Sequence, residues 1–120
     1  MRDDVERLRA RTKKFALRVI RMYNALPLSK VAQALGYQAF RAGTSVGAQY
    51  REACRSRSDA EMISKLESTL QEIDETSYWL DLLVESEIVS KRRLESLTKE
   101  ADELTRIFVT TVKNIKHRRK

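Results

Sequence analysis

Apolar residues recur along this chain at alternating steps of three and four, in four separate stretches. Val5, Leu8, Thr12, Phe15, Val19, Met22 and Leu26 form the first seam. Val31, Leu35, Gln38, Ala42, Ser45 or Val46, Gln49 and Ala53 form the second. Leu66, Leu70, Ile73, Ser77, Leu80 and Val84 form the third, and Leu94, Leu97, Ala101, Leu104, Phe108, Thr111 and Ile115 the fourth. This heptad rhythm is the pattern of helices packed nearly parallel to their neighbours. No strand pattern, repeat or low-complexity segment competes, so the expected fold class is all-α.

The punctuation between the seams places the helix ends. Asp3, Asp4 and Glu6 open the first helix, where the helix dipole favours anions. Pro27 closes it, because the residue before a proline is pushed out of helical geometry. Ser29 is positioned to cap the second helix. Ser58 followed by Glu61 fits a capping box at the third. Ser90 caps the fourth, after a turn in which Ile88 and Val89 fold back on the core. The expected helices span about 3–25, 30–55, 59–85 and 91–116 of one domain, residues 1–120. Short connections between long helices imply an up-and-down antiparallel four-helix bundle.

Two helices carry more than a seam. In the second, Ala39, Gly43 and Gly47 recur every four residues, a strip that lets another helix come close. Its seam is also polar, with Gln38, Ser45 and Gln49 needing partners if buried. In the third, Tyr78, Trp79, Leu82 and Leu83 do not all fit on one buried stripe. Aromatic residues are enriched in protein interfaces, so Tyr78, Trp79 and Leu83 are candidate oligomer-interface residues. Packing at the edge of the bundle is the alternative.

Charge adds a functional direction. The chain of 120 residues has a net charge of +7. Residues 1–28 hold eight basic and three acidic side chains, residues 29–58 five and one, and residues 88–120 ten and four. Residues 59–87 hold one and nine. An acidic helix thus lies among three basic segments. Arg7, Arg11, Lys14, Arg18 and Arg21 form a basic stripe on the first helix, and Lys113, Lys116, Arg118, Arg119 and Lys120 crowd the C-terminus. These ten are the candidate nucleic-acid contacts. The same charges also suit neutralisation of the acidic helix within the bundle or between subunits.

The groups that catalysis or metal binding needs are scarce. The one histidine, His117, lies in the basic tail, and Glu72-x-x-Glu75 lacks the histidine of a di-iron pair. Cys54 has no second cysteine, which excludes a zinc ribbon and an internal disulfide and suits a reducing cytoplasm. The glycines at 36, 43 and 47 form no phosphate loop. No metal, cofactor or enzymatic activity is expected. No apolar run reaches the roughly 18 residues of a membrane span, and the start of the chain lacks the apolar region of a signal peptide. Glu72 and Glu75 are expected to pair with Arg41 or Arg51, so that Glu72→Gln lowers stability.

One stretch, Ser45 to Leu83 with the residues just before it from Gln38, carries a resemblance. Gln38, Arg41, Thr44, Ser45, Val46, Gly47, Ala48, Tyr50, Arg51, Glu52 and Ala53 are followed by Ser58, Ile63, Lys65 and Leu66. Glu72, Glu75, Thr76, Tyr78, Trp79, Leu80, Leu82 and Leu83 complete the set. The pattern resembles the four-helix bundle proteins named after 23S rRNA intervening sequences. Gln49, Met62 and Gln71 depart from that family's usual Asn, Phe and Lys. The resemblance implies an antiparallel bundle assembled into a ring, usually a homopentamer, with no established activity. A related group, the accessory proteins of diversity-generating retroelements, forms similar basic pentamers that bind nucleic acid and a reverse transcriptase.

The expected function is therefore a non-enzymatic, homo-oligomeric protein that binds RNA or DNA through basic surfaces without strong sequence specificity. The alternative is an assembly scaffold whose partner is a protein.

Overall fold

The computed structural model describes residues 2–118. Four helices account for most of them: α1 (Arg2–Asn24), α2 (Lys30–Cys54), α3 (Asp59–Glu85) and α4 (Lys91–Arg118). No strand occurs among the described residues. Each helix packs against the next in sequence, and α4 also touches α1, so the four enclose a common core. The body measures 50 × 22 × 19 Å. None of the helices is long and apolar enough to cross a membrane.

The serine caps set the helix starts. Ser29 Oγ accepts from the Ala32 amide at 3.2 Å, Ser58 Oγ from Glu61 at 3.1 Å, and Ser90 Oγ from Arg93 at 3.4 Å. Each satisfies one amide that the first helical turn leaves without a carbonyl. At the end of α3 the Leu83 carbonyl accepts from both Ile88 and Val89, each at 3.1 Å. Glu87 takes a positive φ of 64° to make that turn, and Ile88 and Val89 pack back against the core.

The core is centred on Phe15, Val19, Leu66, Ile73, Leu80, Leu104 and Phe108, all fully buried. The first and fourth seams fall where the spacing puts them, except that Val112 replaces Thr111. The second seam is displaced by one residue in its first half and partly kept in its second. Its buried residues are Ala32, Gly36, Ala39, Ala42, Gly43, Val46, Tyr50 and Ala53, so Ala42, Val46 and Ala53 lie where the spacing puts them, whereas Val31 is exposed. One residue is a turn of 100° on a helix, so in the first half the rhythm is right and the face is turned. The reason is the approach of α1. A Cβ at Gly36 would run into Leu26 and Tyr23, and one at Gly43 would lie 2.8 Å from Val19 Cγ2. The small residues face the core because α1 occupies the space that larger ones would need.

The third seam is also displaced, toward Thr69, Thr76 and Leu83. Both threonines are fully buried. Their hydroxyls donate to carbonyls one turn back, Thr69 to Lys65 at 3.0 Å and Thr76 to Glu72 at 2.7 Å. Thr12 does the same toward Leu8 at 2.8 Å. A polar residue can thus fill a core position without an unsatisfied group. Tyr50 lies tilted against Phe108, with ring centroids 5.2 Å apart and an interplanar angle of 53°. Burial first, and then the Cys54 contact, raise the Tyr50 pKa above its ordinary value.

Candidate nucleic-acid interface

The basic stripe of α1 divides into two sets. Arg7, Lys14 and Arg21 are exposed and carry no ion pair among the described residues. They stand seven residues apart, about 10 Å along the axis. Arg11 and Arg18 instead turn toward α4. Arg11 grips Glu100 through two bonds, Nε to Oε2 at 2.8 Å and Nη2 to Oε1 at 2.9 Å, and Glu103 lies 3.5 Å away. The bond to Glu100 raises the Arg11 pKa against the opposing effect of burial. Arg18 donates to Ser96 Oγ at 2.8 Å. These two arginines tie α1 to α4, and the three exposed cations flank that tie.

A second ladder runs along α4. Arg92, Lys99, Arg106 and Lys113 are exposed, seven residues apart and without ion pairs among the described residues. Of these only Lys113 was expected from sequence. The signal was present as a repeat of seven in the cations, which a reading tuned to apolar seams passes over. The two ladders meet at one place, where Arg7 and Arg106 line a depression between α1 and α4, whereas Lys99 borders a depression on the α3 side that also holds Asp81 and Glu85. At the other end Arg18, Arg21 and Arg93 line a cavity of about 400 Å³. The first turn of α4 has no acidic residue and opens with Lys91, Arg92 and Arg93. Cations at the positive pole of a helix dipole are unfavourably placed, and a bound anion would offset that cost.

The rest of the expected tail contacts are engaged or undescribed. Lys116 Nζ lies 3.4 Å from Glu67, and Arg118 Nη2 lies 3.0 Å from Asp59, both acids on α3. Arg119 and Lys120 lie outside the described residues.

Among the expected interface residues, Tyr78 is 57% exposed and meets Trp79 edge-on, with ring centroids 5.1 Å apart. Trp79 is half-buried and packs against the core, and its Nε1 is buried without a hydrogen-bond partner. Leu83 corrects the expectation. It is 0% exposed and belongs to the core, because the buried stripe of α3 runs through Thr76, Leu80 and Leu83. The second apolar surface of α3 is therefore narrower than the sequence suggested.

A family model described as 23S rRNA-intervening sequence protein matches residues 7–110. The chain belongs to this family. A crystal structure of a protein of unknown function from the S23 ribosomal protein family of Bacteroides thetaiotaomicron is similar, with a TM-score of 0.82. It is 32% identical, and the match covers 88% of this chain and 97% of that one. No curated protein matches the sequence.

The residues that carry the family pattern lie on α2 and α3. Arg41 Nη2 reaches Glu75 Oε1 at 3.3 Å across the two helices, and Lys65 Nζ reaches Glu52 Oε1 at 2.8 Å. Thr44 and Ser45 donate to carbonyls one turn back, at 2.8 and 2.7 Å. Glu72 departs from its expected pairing. Its Oε1 is buried without a partner, and desolvation, then repulsion by Glu75, raise its pKa, while Arg41 acts in the opposite direction. Glu75 holds the arginine, so Glu72 is a cost to stability rather than a support. No group of three or more His, Cys, Asp or Glu side chains able to hold a metal occurs among the described residues.

Proposed function

We propose that this member of the 23S rRNA-intervening sequence family is a non-enzymatic, homo-oligomeric protein of the cytoplasm that binds nucleic acid through its α1–α4 face. The observation that carries the reading is the pair of cation ladders, Arg7–Lys14–Arg21 and Arg92–Lys99–Arg106–Lys113, exposed and without ion pairs among the described residues. Regular spacing on a rigid scaffold suits a phosphate backbone and reads no base sequence. An antiparallel, up-and-down course is supported by the order of the cross-helix pairs: Glu52 with Lys65 and Arg41 with Glu75, Arg11 with Glu100 and Arg18 with Ser96. Exposed Tyr78, edge-on against half-buried Trp79, supports contact with a further copy on α3, in a ring such as a pentamer. Repetition of the face around a ring multiplies weak contacts into avidity.

A second reading is favoured by a specific set of contacts. Arg41, Lys116 and Arg118 are each paired with an acid of α3, as expected for a protein scaffold whose charges neutralise one another. The test is fluorescence anisotropy with labelled duplex DNA and hairpin RNA over a salt series. Binding that weakens steeply with salt supports the nucleic-acid function. Absence of binding at low salt leaves the scaffold.

A further inference from the structure

The other edge of α1 carries a different surface. Arg9, Lys13, Ala16, Ile20 and Tyr23 follow one another on α1 at steps of four and three. Opposite them on α2 lie Tyr37, Phe40, Thr44, Gly47 and Arg51, at steps of three and four. The two lines border one groove. At one end Arg9, Lys13 and Arg51 line a depression of about 450 Å³ floored by Ala16, Gly47 and Ala48. None of the three cations has an ion pair among the described residues, and Glu6 is the one acid in that lining. At the other end three rings gather. Tyr23 stacks on Phe40 with centroids 5.4 Å apart and an interplanar angle of 20°, and Tyr37 lies 6.1 Å from Phe40. Tyr37 is 50% exposed. From Arg9 to Tyr23 the groove runs about 21 Å.

We propose that this α1–α2 groove is a track for a single-stranded segment of nucleic acid, with Arg9, Lys13 and Arg51 holding phosphates and Tyr37 stacking on an unpaired base. Neither half accounts for the arrangement alone. Cations side by side without carboxylate partners attract a polyanion, and an exposed ring at the edge of an aromatic stack offers a face to a base. A duplex keeps its base faces covered, so it gains nothing from Tyr37, whereas a single strand gains from both ends of the groove. The glycines shape the track. Close contact of Gly43 with Val19 and of Gly47 with Thr12 draws α2 onto α1 and keeps the floor shallow. The site is separate from the α1–α4 ladders, and it rests on the reading of the protein as a nucleic-acid binder.

The test compares labelled oligouridine with a labelled hairpin RNA closed by a tight, internally stacked tetraloop, which leaves no free base face, using the full chain and the variants Tyr37→Ala, Tyr37→Phe and Arg51→Gln. Tyr37 is half-exposed, and circular dichroism checks that each variant folds. Tyr37→Ala should weaken oligouridine binding about tenfold and leave hairpin binding unchanged. Tyr37→Phe keeps the ring and should retain the affinity. Arg51→Gln should lower oligouridine affinity and flatten its salt dependence. Unchanged oligouridine affinity in Tyr37→Ala, or an equal loss for both probes, overturns the proposal. Wild-type binding to the hairpin alone overturns the groove and leaves the nucleic-acid function standing. Binding to neither overturns both.

Discussion

Replacing Gly43 with alanine should destabilise this protein, although alanine is the better helix former. In an open helix the exchange gains about 1 kcal/mol. Here the added Cβ would stand 2.8, 3.0 and 3.1 Å from Val19 Cγ2, Cγ1 and Cβ. Val19 is fully buried, and a β-branched residue in a helix has essentially one rotamer available. The side chain cannot swing aside, so α1 must retreat by some tenths of an ångström from the face it packs on. Overpacking of this kind costs about 1–3 kcal/mol. Net of the helix gain, the expected loss is about 1 kcal/mol, a fall in Tm of roughly 4 °C for a chain of this size. Gly47 is the internal control. Its Cβ would lie 3.5 Å from Thr12 Cβ, an ordinary contact, and 3.3 Å from Thr12 Oγ1, which is tight but far looser than the approach at Gly43. Gly47→Ala should therefore be neutral or stabilising by up to about 1 kcal/mol. Urea unfolding followed by circular dichroism, at fixed protein concentration, measures both. Adding Val19→Ala to Gly43→Ala should recover part of the clash as a favourable coupling. Equal stabilisation by the two glycine substitutions would refute the close α1–α2 packing on which the fold account depends.

Two other predictions concern α3. Leu83→Ala should cost about 3 kcal/mol, the range for a fully buried leucine, whereas Tyr78→Ala should change the stability of the isolated chain by about 0.5 kcal/mol or less; thermal unfolding of both separates core from surface. Glu72→Gln should raise stability at neutral pH, because burial and Glu75 disfavour the Glu72 charge in the fold. The folded pKa is raised, so the native protein gains stability from this group as pH falls through the folded value toward the unfolded one. The advantage of Glu72→Gln over the wild type should shrink along that descent, and unfolding measured as a function of pH checks it.

The helices were readable because their ends are written in single residues. Ser29, Ser58 and Ser90 cap through local hydrogen bonds that need no tertiary context. The apolar seams of α1 and α4 were readable because one stripe of large residues dominates each helix. The seams of α2 and α3 were readable only in part: Ala42, Val46 and Ala53 on α2 and Leu66, Ile73 and Leu80 on α3 are buried as expected, and the remaining positions are turned. On α2 the face that packs most closely is the one with the smallest side chains, so hydrophobicity pointed to Val31 and Leu35 instead of Ala32 and Gly36. On α3 the buried Thr69 and Thr76 read as polar because their satisfaction by carbonyls one turn back is invisible in the sequence. Placing Leu83 on an outer face followed from that slip. The candidate interface was half legible. Composition located basic surface on α1 and α4, yet only cross-helix geometry showed that Arg11 and Arg18 serve as ties, and that Lys116 and Arg118 are bound to α3. The family pattern was legible because its residues, among them Arg41 and Glu75, occupy adjoining helices and meet there.

If the ladders on α1 and α4 contact phosphates, the salt dependence of duplex binding should differ between the wild type and a variant combining Arg92→Gln, Lys99→Gln, Arg106→Gln and Lys113→Gln. These four side chains are exposed and without ion pairs among the described residues, so their loss should leave the fold intact. Each phosphate contact contributes about 0.9 to the slope of log affinity against log salt. A steep negative slope is expected for the wild type, and one shallower by roughly 3 to 4 for the variant. An identical slope in the two proteins, or no binding by the wild type at low salt, would contradict it.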